Sequence, residues 1–207
     1  MQAAFREFVT LLVTIDPLGT AVMFLGLTTH AAHKHRHRMA WRGVALATAI
    51  ILAFSIAGQL LLDMMGISIA AFRIAGGLLL FLLATDMVLA LRSGIRSTTE
   101  PEQAEAAHSH DVTVFPLAIP LLAGPGALTS IMLLMGGAGS WDARASVLGS
   151  LIAVMALALI ALLAAAQVGR LLGVTGANVV TRVLGVVLAA LATQYVIDGV
   201  RESLSLT

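Results

Sequence analysis

Six apolar runs dominate this sequence, and each is long enough to cross a lipid bilayer as an α-helix, which takes about 20 apolar residues. With 59% hydrophobic and only 11% charged residues, the chain is not a soluble domain, and its short connecting segments leave almost nothing outside the membrane. We therefore predict an all-α polytopic membrane protein with six transmembrane helices, over residues 5–27, 43–62, 70–91, 113–136, 145–168 and 179–199.

The six runs divide into two similar sets of three. Pro17 precedes Arg73 by 56 positions and Pro125 precedes Arg182 by 57, and each arginine opens a similar apolar helix. Landmarks kept in register to within one residue indicate an internal duplication. We predict a single transmembrane domain over residues 1–207, made of a first three-helix repeat (1–91), a polar cytoplasmic connecting loop (92–111) and a second three-helix repeat (112–207).

The positive charges predict how the chain is oriented. Lys and Arg are most frequent on one predicted side, above all in the loop after the first span, which carries Lys34, Arg36, Arg38 and Arg42. Because positively charged loops stay in the cytoplasm, both termini are predicted outside a bacterial inner membrane. Three spans per repeat is an odd number, so the second repeat enters from the opposite side. The duplication is therefore predicted to be inverted, as in transporters that work by alternating access.

The first and fourth spans are predicted to be broken helices. The first is interrupted at residues 16–20, whose sequence is Asp-Pro-Leu-Gly-Thr, and the fourth at 124–126, Gly-Pro-Gly. A proline deep in a membrane helix removes a backbone donor and frees carbonyl groups, so such a break persists only inside protein or beside a wet cavity. Two breaks at corresponding positions of two repeats are the best sequence indication of a transporter's substrate site.

Asp16 lies near the middle of the first span, where a carboxylate costs about 2.5–3.5 kcal/mol on insertion scales. It must face the bundle interior, bind a proton, or cap the half-helix that begins at Pro17. Two interpretations are compatible with each other. In the first, Asp16 is an N-cap that accepts hydrogen bonds from freed N–H groups. In the second, Asp16 is a proton carrier or a partner for a substrate ammonium group.

The second break, Gly-Pro-Gly, has no side chain that could bind a substrate, so any binding there would involve backbone groups. N–H groups at Gly126 and Ala127, at the positive end of a half-helix dipole, suit a carboxylate, and Thr129 and Ser130 add hydroxyl donors. The alternative is a kinked helix that only packs, because glycine and proline are ordinary in membrane helices. The predicted substrate-binding residues are Asp16, Pro17, Gly19, Thr20, Gly124, Pro125, Gly126, Ala127, Thr129 and Ser130.

Arg73 and Arg182 each lie a few residues inside a span, at opposite predicted membrane faces. Either they reach lipid headgroups and frayed carbonyls, or they form a gate or an anion contact on each face. The histidines of residues 30–37 alternate with cations and have no neighbouring carboxylate, which favours a basic loop against anionic lipid over a metal site. The chain has no cysteine, and we predict no metal, no cofactor and no nucleic-acid partner.

Three strings are distinctive as a group: Asp-Pro-Leu-Gly at 16–19, Phe-Arg-Ile-Ala-Gly-Gly at 72–77, and Pro-Leu-Leu-Ala-Gly-Pro-Gly at 120–126. They resemble the MarC family of six-span inner-membrane proteins, and the resemblance covers about residues 5–203. It implies a place among small neutral amino acid transporters and a wider kinship with LysE-type amino acid exporters. The chain departs from many relatives at Thr20, where they carry Asn. The resemblance implies that residue 20 would border the binding cavity.

The resulting hypothesis is a proton-coupled secondary transporter of small neutral amino acids or similar zwitterions. N–H groups at Gly126 would take the carboxylate, while Asp16 and freed carbonyls near Ile15 would take the ammonium group. Two alternatives stay open: a translocase of an anionic lipid carrier, with Arg73 and Arg182 as phosphate contacts, and an intramembrane enzyme. We expect no enzymatic activity, because we find no nucleophile–base pair at membrane depth. The expected partners are the bilayer, a small-molecule substrate and protons. The sequence is also compatible with a homo-oligomer.

Overall fold

Helices form nearly all of the described chain. The computed structural model describes residues 2–29, 31–90 and 111–205, and no strand occurs among them, which confirms the predicted all-α fold. The predicted connecting loop, residues 92–111, lies outside the described residues except for Asp111. The helices are α1 (Gln2–Ile15), α2 (Pro17–Leu27), α3 (His33–Met64), α4 (Ile69–Leu89), the irregular α5 (Thr113–Leu122), α6 (Pro125–Gly137), α7 (Trp141–Leu163) and α8 (Ala165–Ser205).

Six membrane spans can be built from these helices. Five are long and apolar enough by themselves: the 26-residue pair α1–α2, then α3, α4, α7, and the Thr175–Leu204 part of α8. The sixth is the pair α5–α6, which bends by 52° at its break. The described helices thus supply five candidate spans, or six when the bent pair is counted as one span, which agrees with the predicted polytopic membrane protein, and the fourth predicted span is the sharply broken one. The first span is interrupted at a single residue, Asp16, and is not bent to the same degree.

The basic segment after the first span is helical, not a loop as predicted. α3 begins at His33, ten residues before the apolar run at 43–62, so Lys34 to Arg42 occupy its first turns. Lysine and arginine are good helix formers, and no proline or glycine interrupts residues 33–42. The helix therefore continues beyond the apolar run, and the charges project from a fixed element.

The last helix is also longer than predicted. α8 runs from Ala165 to Ser205, and Gly173, with a φ of 59°, interrupts it. That backbone conformation is open to glycine at little steric cost. Arg170, which was predicted to lie in a loop between the fifth and sixth spans, is instead on the helical segment before Gly173. α7 correspondingly ends at Leu163, before the predicted limit at residue 168.

The two halves exchange partners in their packing. The broken span α1–α2 packs against α7, the middle helix of the second half, and the broken span α5–α6 packs against α3, the middle helix of the first. The last helices, α4 and α8, form the most extensive contact. Glycines allow that closeness: a Cβ at Gly77 would lie 2.8 Å from the carbonyl oxygen of Ala192. This reciprocal packing is the pattern expected of an inverted duplication, whose repeat boundaries stay a prediction.

Candidate functional site

Asp16 separates α1 from α2 and is completely buried. Its backbone has a φ of 43°, in the left-handed region that aspartate tolerates better than most residues. Its Oδ1 atom accepts a hydrogen bond from the backbone N–H of Gly19 at 3.1 Å. The N-cap interpretation is therefore confirmed: Asp16 stabilises the first turn of α2, and Pro17 occupies the first helical position, where no N–H is needed.

The other carboxylate oxygen of Asp16 joins the first break to the far end of the chain. Thr181 Oγ1, on α8, donates to Asp16 Oδ2 at 2.9 Å. A Cβ at Gly19 would overlap that oxygen and come within 3.2 Å of Thr181 Oγ1, so only glycine leaves room for the contact. Sequence reasoning missed Thr181, and the only signal for it was its place beside the repeat landmark Arg182.

A carbonyl group freed at the first break is satisfied by a local threonine. Thr20 is buried, and its hydroxyl donates to the Ile15 carbonyl at 3.1 Å. Thr14 donates to the Thr10 carbonyl at 2.9 Å. The hydroxyl of Thr20 thus donates to a carbonyl group that the break frees. This gives a buried backbone acceptor the hydrogen-bond partner that it needs. The departure from asparagine at this position has a structural role of its own.

The second break differs because no side chain caps it. Gly124 precedes α6 in an extended conformation, and Pro125 begins the helix. Gly126 and Ala127 are both buried, and Gly124 offers no side-chain acceptor for their N–H groups. The first turn of α6 therefore presents donors and the positive end of its dipole to the protein interior.

Gly126 has a packing role that the sequence hypothesis did not include. A Cβ at Gly126 would overlap the Cδ2 atom of Leu83 and lie 3.8 Å from that of Leu80, both on α4. The side of Gly126 where a side chain would project is therefore filled by α4. A methyl group added at Gly126 would therefore first displace Leu83.

The two predicted hydroxyl donors on α6 have different surroundings. Thr129 packs against α4, where a Cβ at Gly76 would lie 2.7 Å from the Thr129 methyl. Ser130 is completely buried, and its Oγ has no hydrogen-bond partner among the described residues. A buried hydroxyl without a partner is uncommon and calls for an explanation, such as a ligand or a water molecule.

Both breaks lie inside the protein. Ile15 and Ala21, which flank the first break, and Ala123 and Ala127, which flank the second, belong to one buried apolar cluster. α1 and α6 are in contact. The breaks are thus neighbours of a common core and do not face lipid on opposite sides of the bundle.

An additional irregularity precedes the second break. Phe115 and Ile119 have extended backbone conformations inside α5, directly before Pro116 and Pro120. A residue before proline is disfavoured in the α conformation, which accounts for both positions. The sequence predicted a single interruption at 124–126, and it missed this disturbance even though both prolines were visible in it.

The two arginines predicted as gates are in different environments. Arg73 Nη1 makes an ion pair with Glu202 Oε2 at 2.5 Å, which links the start of α4 to the end of α8. Arg182 is exposed on α8. Arg73 lines a cavity of about 300 Å³, which we call the terminal cavity because it lies where α1 begins and α8 ends. Its lining consists of Ala3, Arg6, Glu7, Arg73, Leu133, Leu134, Gly137, Ala138, Ala143, Tyr195 and Asp198.

The opposite end of the bundle brings an acidic residue to the basic start of α3. Hydrogen bonding from the Thr113 side chain and backbone lowers the pKa of the Asp111 carboxyl and outweighs the effect of desolvation, which raises it; the charges of His35 and Arg42 lower the pKa by smaller amounts. The argument that no carboxylate accompanies the histidines is therefore wrong for His35. Within the described ranges, no three His, Asp or Glu side chains are grouped so as to hold a metal ion.

Comparison with known proteins places these features in one family. The model of the MarC family, described as "MarC family integral membrane protein", matches residues 1–204. The chain is 35% identical over 201 residues to a UPF0056 membrane protein of Archaeoglobus fulgidus, covering 97% of this chain and 93% of that protein. It is 33% identical over 205 residues to the UPF0056 membrane protein YhcE of Escherichia coli, covering 95% and 91%. No solved structure matched the chain. The chain therefore belongs to the MarC family of integral membrane proteins.

Proposed function

We propose that this protein is a secondary transporter of small neutral amino acids or similar small zwitterions. The proposal is carried by one observation, the opposite polarity of two breaks that border one buried core. The first break holds a buried carboxylate, Asp16, and the second holds an uncapped helix start with the unpartnered hydroxyl of Ser130. A zwitterion needs both: an acceptor for its ammonium group, and N–H and O–H donors for its carboxylate.

The transport cycle would use the exchange of partners between the halves. Each broken span packs on the middle helix of the other half, so a rocking motion of one half would open one side of the site and close the other. Asp16 would carry the coupling proton, since its hydrogen bonds to α2 and α8 would change as the halves move. We further propose an inner-membrane location with both termini outside, from the charge bias.

Transport in liposomes tests the proposal. The purified protein is reconstituted, and the uptake and efflux of labelled alanine and glycine are followed under an imposed pH gradient. We expect flux above that of protein-free vesicles, and Ser130→Ala should lower it about tenfold or more, the effect of one hydrogen bond to a charged group. Ser55→Ala is the matched control, because Ser55 is also buried but donates to its own helix at the Leu52 carbonyl. Absence of flux for every small neutral amino acid tried would overturn the proposal.

The anionic lipid carrier is the weaker candidate. It needs a phosphate contact on each membrane face, from Arg73 and Arg182, and it leaves the buried carboxylate of Asp16 and the two breaks unexplained. Loss of headgroup binding in Arg73→Ala, without amino acid transport in the native protein, would favour this alternative. We propose no enzymatic function, and the expectation that the protein is not an enzyme stays a prediction.

A further inference from the structure

The terminal cavity carries charged and polar groups that the two breaks do not explain. Arg6 and Glu7 come from α1, Arg73 from α4, and Tyr195 and Asp198 from α8. Glu7 is buried and accepts a hydrogen bond from Ser146 at 2.6 Å. Three elements that are distant in sequence thus bring two guanidinium groups, two carboxylates and a phenol to one space of about 300 Å³.

The formal charges of these groups cancel. Arg6 and Arg73 contribute two positive charges, and Glu7 and Asp198 contribute two negative charges. A ligand with net negative charge would meet as many carboxylates as guanidinium groups in this lining. A ligand with one charge of each sign meets a complementary partner for both. The lining therefore suits a zwitterion better than a phosphate.

Tyr195 supplies a second and independent observation. Its side chain is only 8% exposed, and its hydroxyl has no hydrogen bond of normal geometry, although it lies near the Thr10 hydroxyl. Thr10 uses its own proton on the Arg6 carbonyl, at 2.8 Å. A buried phenol without an acceptor is unfavourable, and a ligand carboxylate in the cavity would provide that acceptor.

We propose that the terminal cavity is an entry site that binds the zwitterionic head of a small amino acid before it reaches the breaks. The ligand carboxylate lies between Arg73, Arg6 and the Tyr195 hydroxyl, and its ammonium group lies toward Glu7 and Asp198. Thr10 and Thr14, both buried on α1, lead from this cavity toward Asp16. The choice of ligand rests on the proposed function, whereas the charge balance and the unpartnered phenol are properties of the cavity itself.

Protection from thiol labelling tests the site directly, because the chain has no native cysteine. Ala143 lines the cavity, so Ala143→Cys should react with a soluble thiol reagent more slowly when alanine or glycine is added. Ala145→Cys is the matched control, since Ala145 is exposed on the same helix and outside the cavity. Its labelling should not change with either amino acid, and inorganic phosphate at the same concentration should protect neither variant.

A single-atom change tests the role of the phenol. Tyr195→Phe, made in the Ala143→Cys background, should raise the alanine concentration needed for half-protection about tenfold, as expected for one lost hydrogen bond to a charged group. Thr193→Val is its control, because the Thr193 hydroxyl is exposed and donates to its own helix. It should leave the half-protection concentration unchanged.

The outcomes separate this inference from the transport function. Liposome transport without any protection of Ala143→Cys overturns the entry site and leaves the transporter proposal intact. Protection without transport supports the site and overturns the transporter. Protection by phosphate but not by alanine overturns the zwitterion assignment, and an unchanged half-protection concentration in Tyr195→Phe overturns the role of the phenol. Absence of both protection and transport overturns both proposals.

Discussion

The hydrogen bond between Thr181 and Asp16 offers the sharpest test of the architecture around the first break. Thr181→Val removes only the hydroxyl and keeps the shape of the side chain, so Asp16 Oδ2 loses the donor that now lies 2.9 Å away. Oδ1 keeps its bond to the Gly19 N–H, and the cap of α2 is preserved. The substitution therefore isolates one bond between α8 and the break.

The expected cost follows from the burial of the acceptor. Hydrogen bonds to charged groups contribute about 1.5–3 kcal/mol in soluble proteins, whereas interhelical bonds in a membrane protein average about 0.6 kcal/mol and reach about 1.7. Asp16 is 0% exposed, so no water replaces the lost donor. We expect Thr181→Val to lower the free energy of unfolding by about 1–2 kcal/mol, at the upper end of the membrane range.

A double-mutant cycle in a reversible unfolding assay, in bicelles or mixed micelles, measures this bond. Thr181→Val is compared in the native chain and in an Asp16→Ala background, where the acceptor is absent. Thr193→Val serves as the control, because its hydroxyl bonds only to the Ala189 carbonyl of its own helix. It should change the free energy of unfolding by less than about 0.5 kcal/mol.

An equal cost of Thr181→Val in both backgrounds would refute the reasoning. It would mean that the threonine acts through packing alone and that α8 is not tied to the Asp16 carboxylate. A cost in the native chain no larger than that of Thr193→Val would have the same consequence.

Four further predictions concern the breaks and the orientation. Gly126→Ala should leave the protein folded but shift Leu83, so a Leu83→Ala partner substitution should restore part of any lost melting temperature. Asp16→Asn keeps an oxygen for the cap and removes the titratable group, so it should abolish the pH dependence of transport more than substrate binding; an unchanged pH profile would leave Asp16 as a cap only. Asp111→Asn should lower the melting temperature at neutral pH and lose its effect as the pH falls below about 4, because a carboxyl with a lowered folded-state pKa stabilises only while it is ionised in the native state. A C-terminal reporter that is active only in the cytoplasm should be silent, and activity in a functional fusion would contradict the predicted topology.

Much of this fold could be predicted because it depends on local patterns. The length of an apolar run decides whether it crosses a bilayer, and the proline and glycine clusters at 16–20 and 124–126 decide where a helix must stop. The cap at Asp16 is also local, because its acceptor and the Gly19 N–H are three residues apart. The apolar run does not fix where a helix begins: α3 begins at His33 because good helix formers extend the helix beyond the apolar stretch that the membrane requires.

Contacts between residues that are far apart in the sequence were decided only by the tertiary structure. Thr181 meets Asp16, and Glu202 meets Arg73, across separations of 165 and 129 residues. No periodicity in the sequence encodes such pairs, because they depend on the angle and register at which α8 packs against its neighbours. The terminal cavity has the same origin. Sequence alone determined that this chain is an all-α membrane protein with two interrupted apolar segments, because both depend on local composition. Packing decided which polar groups near the interruptions find a hydrogen-bond partner and which do not.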